Sequence, residues 1–275
     1  MRTRLAALSC IGCLLMALGA RAEDNPRTDY TAYTRPAGRT ALGLFKLEQG
    51  ILDQLTIGTY WPLWVAYPAL GVLIPNGYIK MGTSNRAPLA LAGRAGVTYV
   101  DDSAISKLSH HQASANAIAY AAEVDASMRL GSDFTLTLAG DYNHLSAVGS
   151  GTDHVASSIE GASTADTWSA RLLTEWHLSR SFELSLLVRY LIYQSPLNAD
   201  VETESDALSV DGDLSGEASR QRRWSLVPGV AFEGERWELQ LGVGYGVFYL
   251  PVLGLPTTKS WPIVDLGFAY RFDLY

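Results

Sequence analysis

WELQLGVGYGVFY, residues 237–249, alternates without interruption: Trp237, Leu239, Leu241, Val243, Tyr245, Val247 and Tyr249 on one side, Glu238, Gln240, Gly242, Gly244, Gly246 and Phe248 on the other. A period of two sustained over thirteen residues describes a β-strand with one apolar face and one polar or small face. Strands of soluble sandwiches alternate too, but they usually run to about five or six residues. Thirteen is close to the span that crosses a bilayer at a tilt. The apolar side of such a ribbon meets either protein or lipid.

The same period recurs in both directions along the chain. Leu266, Phe268, Tyr270, Phe272 and Leu274 alternate with Asp265, Arg271 and Asp273; Phe182 to Ile192 alternate with Glu183, Ser185 and Arg189. Trp168 to Trp176 alternate with Arg171, Glu175 and His177, Phe134 to Tyr142 with Thr135, Thr137 and Asp141, and Ile118 to Met128 with Glu123, Asp125 and Arg129. A lipid-facing arginine near the midplane costs roughly 2–4 kcal/mol, so turning both Arg171 and Arg189 outward would cost on the order of 4–8. The charged faces therefore enclose a lumen, lined by Arg94, Glu123, Asp125, Arg129, Arg171, Glu175, Glu183, Arg189 and Glu238, and the aromatic faces meet lipid. Small residues, Ala90, Ala92, Gly96, Gly242, Gly244 and Gly246, leave room along one wall.

Connections alternate in length. Residues 131–133, 178–180 and 234–236 are tight turns, whereas 101–115, 146–166, 194–222 and 250–262 are long and mostly polar. Short turns at one end and long loops at the other characterise outer-membrane barrels, with the turns periplasmic and the loops extracellular. Tyr142, Trp168, Tyr190, Trp224 and Tyr249 fall near loop ends, and Phe134, Trp176, Phe182 and Trp237 near turn ends. Two girdles of rings at the two headgroup levels follow. The expected fold is all-β: an antiparallel transmembrane β-barrel of about twelve strands. They are 29–36, 41–50, 55–60, 72–82, 89–100, 116–130, 134–145, 167–177, 181–193, 223–233, 237–249 and 263–275. Ten strands remain if the proline-rich WPLWVAYPALGVLIP (61–75) folds inward. That stretch is long and apolar enough for a spanning helix, but Pro62, Pro68 and Pro75 each cost a helix interior roughly 3 kcal/mol.

The first 22 residues read as a cleaved signal peptide, with Arg2 and Arg4 before the apolar Leu5 to Leu18 and Ala20-Arg21-Ala22 before Glu23; residues 23–275 then form one barrel domain. Cys10 and Cys13 both lie in this leader, and neither has leucine three residues before it, as lipid attachment would require. Removing Arg2, Arg4 and Arg21 leaves 18 basic against 28 acidic residues, a balance of −10. Such a surface repels nucleic acid.

The end of the chain carries a second signal. DLGFAYRF (265–272) resembles the terminal β-signal of bacterial outer-membrane β-barrel proteins, with Asp265, Gly267, Tyr270 and Phe272 at its polar, glycine and two hydrophobic positions. Tyr275 has the opposite parity to Phe272 and Leu274. The resemblance implies the outer membrane of a Gram-negative bacterium, contact with its lipid and lipopolysaccharide, and assembly by the barrel-assembly machinery, as a monomer.

No catalytic residue, metal site or cofactor is expected. His110-His111 and His154 stand in polar loops without partners placed by the sequence. His144 has Asp141 and Asn143 close in sequence but shares parity with Tyr142, which makes it an interfacial residue. His177 lies with Glu175 on the lumen face and meets Glu183 across a tight turn, an ordinary polar pair at the rim. Asp211, Asp213, Ser215 and Gly216 echo half of a calcium loop, but Arg222 stands at the twelfth position, leaving a solvated acidic loop. The leading functional expectation is a passive pore or transporter for small solutes. The alternatives are a non-conducting structural or surface-interaction barrel that displays its loops, and an outer-membrane lipid-modifying enzyme. An autotransporter translocator is not expected, because almost no passenger precedes the first candidate strand.

Overall fold

The computed structural model describes residues 30–64, 74–83, 88–100, 113–152, 158–179, 181–195, 197–205, 208–216, 223–249 and 256–273. The leader, His110, His111, His154 and Tyr275 lie outside them. The strands are β1 (Arg39–Gly43), β2 (Leu47–Leu52), β3 (Leu55–Thr59), β4 (Asn76–Gly82), β5 (Leu89–Val100), β6 (Ala113–Arg129) and β7 (Phe134–Thr152). They continue as β8 (Ser158–Ser179), β9 (Phe182–Gln194), β10 (Leu197–Ser205), β11 (Leu208–Gly216), β12 (Trp224–Glu233), β13 (Trp237–Tyr249) and β14 (Pro256–Asp273). Each of β1 to β8 pairs antiparallel with the next, β9 pairs with β12, and β12, β13 and β14 follow in order. The ring closes where β1 meets β14, from Arg39 opposite Asp273 to Gly43 opposite Ala269. Twelve strands thus form a closed barrel, and closure removes the unpaired edges that an open sheet would present.

Burial is inverted relative to a soluble protein. Val124, Leu138, Val243 and Val264 are 57–71% exposed, while Asp125, Arg171 and Glu175 are 0–3% exposed. Apolar side chains outside and charges inside form a low-energy arrangement only when hydrocarbon surrounds the wall. Cross-strand ring pairs reinforce the outer face at both levels: Phe134 with Trp176 and Phe182 with Phe232 near the turns, and Tyr142 with Trp168 near the loops. Turns are tight for local reasons, as at Gly131, whose φ of 77° suits a residue without a Cβ while Leu130 N–H donates to Phe134 O.

Four expectations are corrected. Residues 30–36 form no strand: Thr31, Ala32, Tyr33, Thr34 and Arg35 are all buried, at 3% exposure or less, and the segment fills the lumen. The ring reaches twelve because 41–50 is two short strands, β1 and β2, hinged at Leu44 to Lys46. The proline-rich stretch starts as a single helical turn, Pro62 to Trp64, and β4 begins only at Asn76. The long loops are partly sheet. β7 and β8 stay paired from Phe134–Trp176 up to Thr152–Ser158, and residues 197–216 form the β10–β11 hairpin, whose β10 pairs with the upper end of β8. Asp211, Asp213 and Ser215 therefore sit on an extended strand, not on the coiled backbone of a calcium loop.

A further correction concerns the stretch that announced the fold. Val247 is 4% exposed, and Tyr249 lies beneath the Arg189 guanidinium, 4.2 Å from it. The parity reverses once, at Gly246, which has φ of 143°, and a register irregularity follows between Val247 and Tyr249. A Cβ at Gly246 would lie 2.4 Å from Ser225 Cα and from Trp224 O, so only glycine fits this bend. Tyr249 consequently belongs to the lumen and not to the upper girdle.

Candidate functional site in the lumen

The register of the wall builds a charged belt. Arg94 is opposite Glu123, Glu123 opposite Asp141, and Asp141 opposite Ser169, while Arg171 faces Arg189 on the next strand. Arg171 is the hub: Nη2 donates to Glu123 Oε1 at 2.7 Å and to Asp125 Oδ1 at 2.9 Å, and Nη1 donates to Asp141 Oδ1 at 3.2 Å. Ser169 Oγ and Arg189 Nη2 donate to Asp141 Oδ2 at 3.1 and 3.4 Å. Arg94 Nη1 lies 3.6 Å from Glu123, and its Nη2 donates to Tyr60 Oη at 2.9 Å. Lys80 Nζ stands 4.0 Å from Asp125. Arginine suits this role because its planar fork addresses several carboxylates at once.

Towards the turn end a second group forms. Arg271 donates to Glu238 at 2.6 Å and to Glu233 at 3.1 Å. His177 Nδ1 is 3.4 Å from Glu183, and its Nε2 lies 3.2 Å from Thr135 Oγ1. Glu175 is buried nearby, and Arg129 stacks over the Tyr33 ring at 4.5 Å. All nine lumen residues named from the sequence thus point away from the lipid side. They divide between two levels: Arg94, Glu123, Asp125, Arg171 and Arg189 in the belt, and Arg129, Glu175, Glu183 and Glu238 nearer the rim. Asp141 and Arg271, placed on polar faces by the alternation but not counted among the nine, line the lumen too, as do Glu48 and Lys80, which the alternation did not single out.

The segment 30–36 docks on this lining through polar contacts. Ala32 N–H donates to Ser127 Oγ at 2.7 Å, Arg35 N–H to Thr56 Oγ1 at 2.8 Å, and Thr34 Oγ1 to Asp53 O at 2.6 Å. Lys80 Nζ donates to Thr31 O. Arg35 Nε donates to Glu48 Oε2 at 2.9 Å, and both side chains are nearly inaccessible. Glu48 Oε1 also accepts from Tyr78 Oη at 2.6 Å and from Lys46 Nζ at 3.1 Å. Ala32 and Tyr33 pack on Ala90 and Ala92, so the room that the small residues of β5 leave is taken by this plug. Above it Tyr30 lies 5.1 Å from the Arg171 guanidinium. A cavity of about 530 Å³ remains, lined by Tyr30, Arg94, Arg171, Arg189 and Tyr249 and reaching down to Glu238.

The terminal motif closes the ring. Asp265 Oδ2 accepts from Gln240 Nε2 at 2.6 Å, Gly267 faces the same Gln240 side chain, and Tyr270 is 43% exposed on the lipid side, stacked with Phe272 at 6.4 Å.

No family model matches this chain, and no curated protein does. Solved structures with a similar fold include the translocator domain of autotransporter NalP from Neisseria meningitidis, at 12% identity and TM-score 0.46, covering 98% of each chain. The TodX deltaS2S3 mutant monoaromatic hydrocarbon channel matches at 13% identity and TM-score 0.47, over 91% of this chain and 70% of that one. The ferric yersiniabactin uptake receptor FyuA from Yersinia pestis matches at 10% identity and TM-score 0.33, over 86% and 53%. The architecture of this chain, a closed twelve-stranded barrel with an apolar outer face and a charged interior, is that of a transmembrane β-barrel.

Proposed function

We propose that the chain is a gated outer-membrane passage for small solutes, delivered to its membrane by the assembly machinery that reads residues 265–272 and surrounded there by lipid and lipopolysaccharide. The observation that carries this reading is the pairing of a cavity of about 530 Å³ with a plug held by polar contacts. Beyond the small apolar contact of Ala32 and Tyr33 with Ala90 and Ala92, the segment is held by ion pairs and hydrogen bonds, which can exchange for water when it moves. The charged belt supports a solute path, because rings of charged side chains tune selectivity without performing chemistry. The resting state is closed, so the passage opens only when residues 30–36 leave.

Burial of the plug also favours a second reading, a barrel that never conducts. Planar-bilayer recording of the folded full-length protein separates the two. Rare, discrete openings that become frequent when the plug is weakened support the passage. A silent membrane for both parent and weakened variants refutes it in favour of the closed barrel.

A further inference from the structure

The extension of β7 and β8 above the belt brings together groups that the sequence separates. His144 is directly opposite Asp166 in the β7–β8 register, and His144 Nδ1 lies 2.9 Å from Asp166 Oδ1. A carboxylate only accepts hydrogen bonds, so Nδ1 carries the proton and Nε2 of the neutral ring is left as a base. Tyr142 Oη donates to the same carboxylate oxygen at 2.7 Å, and Tyr120 stacks on the imidazole at 6.3 Å. These contacts fix the ring on the outer face of the wall. The next residue on that face of β7 is Ser146, opposite Thr164 on β8.

Same-face neighbours on a strand are about 6.6 Å apart, a distance that an imidazole and a serine hydroxyl bridge when both lean along the strand. No hydrogen bond joins Ser146 to His144 among the described residues; such bonds commonly close only with substrate in place. Depth defines the substrate. Tyr142 and Trp168, the aromatic pair one step below, are at the loop-side girdle, and girdle rings sit at headgroup level. That is where the ester groups of membrane lipids lie.

We propose that Ser146, His144 and Asp166 form a hydrolytic site on the outer wall that cleaves the acyl esters of lipids in the surrounding leaflet. Ser146 Oγ attacks the ester carbonyl carbon while His144 Nε2 takes its proton, and Asp166 stabilises the imidazolium through Nδ1–H. The tetrahedral intermediate expels the lipid alcohol, which receives the proton from Nε2. Water, deprotonated by the same nitrogen, then attacks the acyl-serine and releases a fatty acid, regenerating Ser146. The reaction needs only water as co-reactant, and it is independent of whether the lumen conducts.

The test uses full-length protein in vesicles of phosphatidylethanolamine and phosphatidylglycerol, and separately in vesicles containing lipid A, with released fatty acid measured by mass spectrometry. The proposal predicts release from one of the two lipids, which identifies the source of the ester. It predicts a fall of at least about a hundredfold for Ser146→Ala and for His144→Ala, and at least about tenfold for Asp166→Ala. His177→Ala, which alters the other histidine–carboxylate pair, should leave the rate within about twofold. A fluorophosphonate should add covalently to Ser146 in the parent and not in His144→Ala. A band that migrates differently in unheated and heated gels verifies that each variant is folded. Absence of fatty acid from both lipids, or equal release by folded Ser146→Ala, overturns the proposal and leaves a hydrated polar pair at the membrane surface.

Discussion

Replacing Glu48 by alanine should open the lumen. Arg35 and Glu48 are 3% and 4% accessible, and removing one member of a buried pair costs about 3–5 kcal/mol because the other charge remains buried alone. That cost falls on the plugged state only, since an expelled Arg35 returns to water. At about 1.4 kcal/mol per tenfold, the ratio of open to closed barrels should rise by roughly two to three and a half powers of ten. Arg35→Ala should do less. Glu48 then keeps Lys46 and Tyr78, and the loss is one hydrogen bond to a charged group, about 1.5–3 kcal/mol. The double replacement Arg35→Leu with Glu48→Leu should lie closer to the parent than Glu48→Ala does, because two apolar partners leave no orphaned charge. Single-channel recording in planar bilayers reads open probability directly. Folded Glu48→Ala protein with the open probability of the parent would refute the reasoning.

Three further outcomes follow from the wall. Arg171→Ala should lower stability by at least about 3 kcal/mol, since Glu123, Asp125 and Asp141 would share a buried site with their principal cation gone; urea unfolding in lipid vesicles measures it. Gly246→Ala should cost about 1–3 kcal/mol through its left-handed φ and the clash with Ser225, visible in the same titration. Val243→Arg, at a position 67% exposed to lipid, should cost about 2–4 kcal/mol in vesicles, and a neutral result would place Val243 away from hydrocarbon.

Legibility in the sequence followed contrast between the two faces. Leu138 against Thr137, or Val243 against Gln240, differ so strongly in hydropathy that strand, period and orientation could be read at once. From headgroup level upward both faces of a strand leave the hydrocarbon, so SAVGSG (146–151) alternates without contrast and reads as loop, although it is sheet. That loss concealed the pairing of His144 with Asp166, twenty-two residues away. The plug failed for the opposite reason. DYTAYTRP (29–36) carries the mixture of small, polar and aromatic groups that a polar lumen accepts, and the same mixture describes a strand. At Gly246 one backbone angle moved Val247 and Tyr249 to the other face, and alternation has no term for a bend.

The central claim is that hydrocarbon is the solvent of the outer face, and collision of a nitroxide with oxygen or with an aqueous nickel complex measures that solvent directly. With Cys10 and Cys13 changed to serine, single labels at Leu138, Gly140, Leu241 and Val243 of vesicle-bound protein should relax mainly with oxygen, while a label at Ser132 in the exposed turn should relax mainly with nickel. Nickel dominating at Leu138 and Val243 in the folded protein would contradict the account.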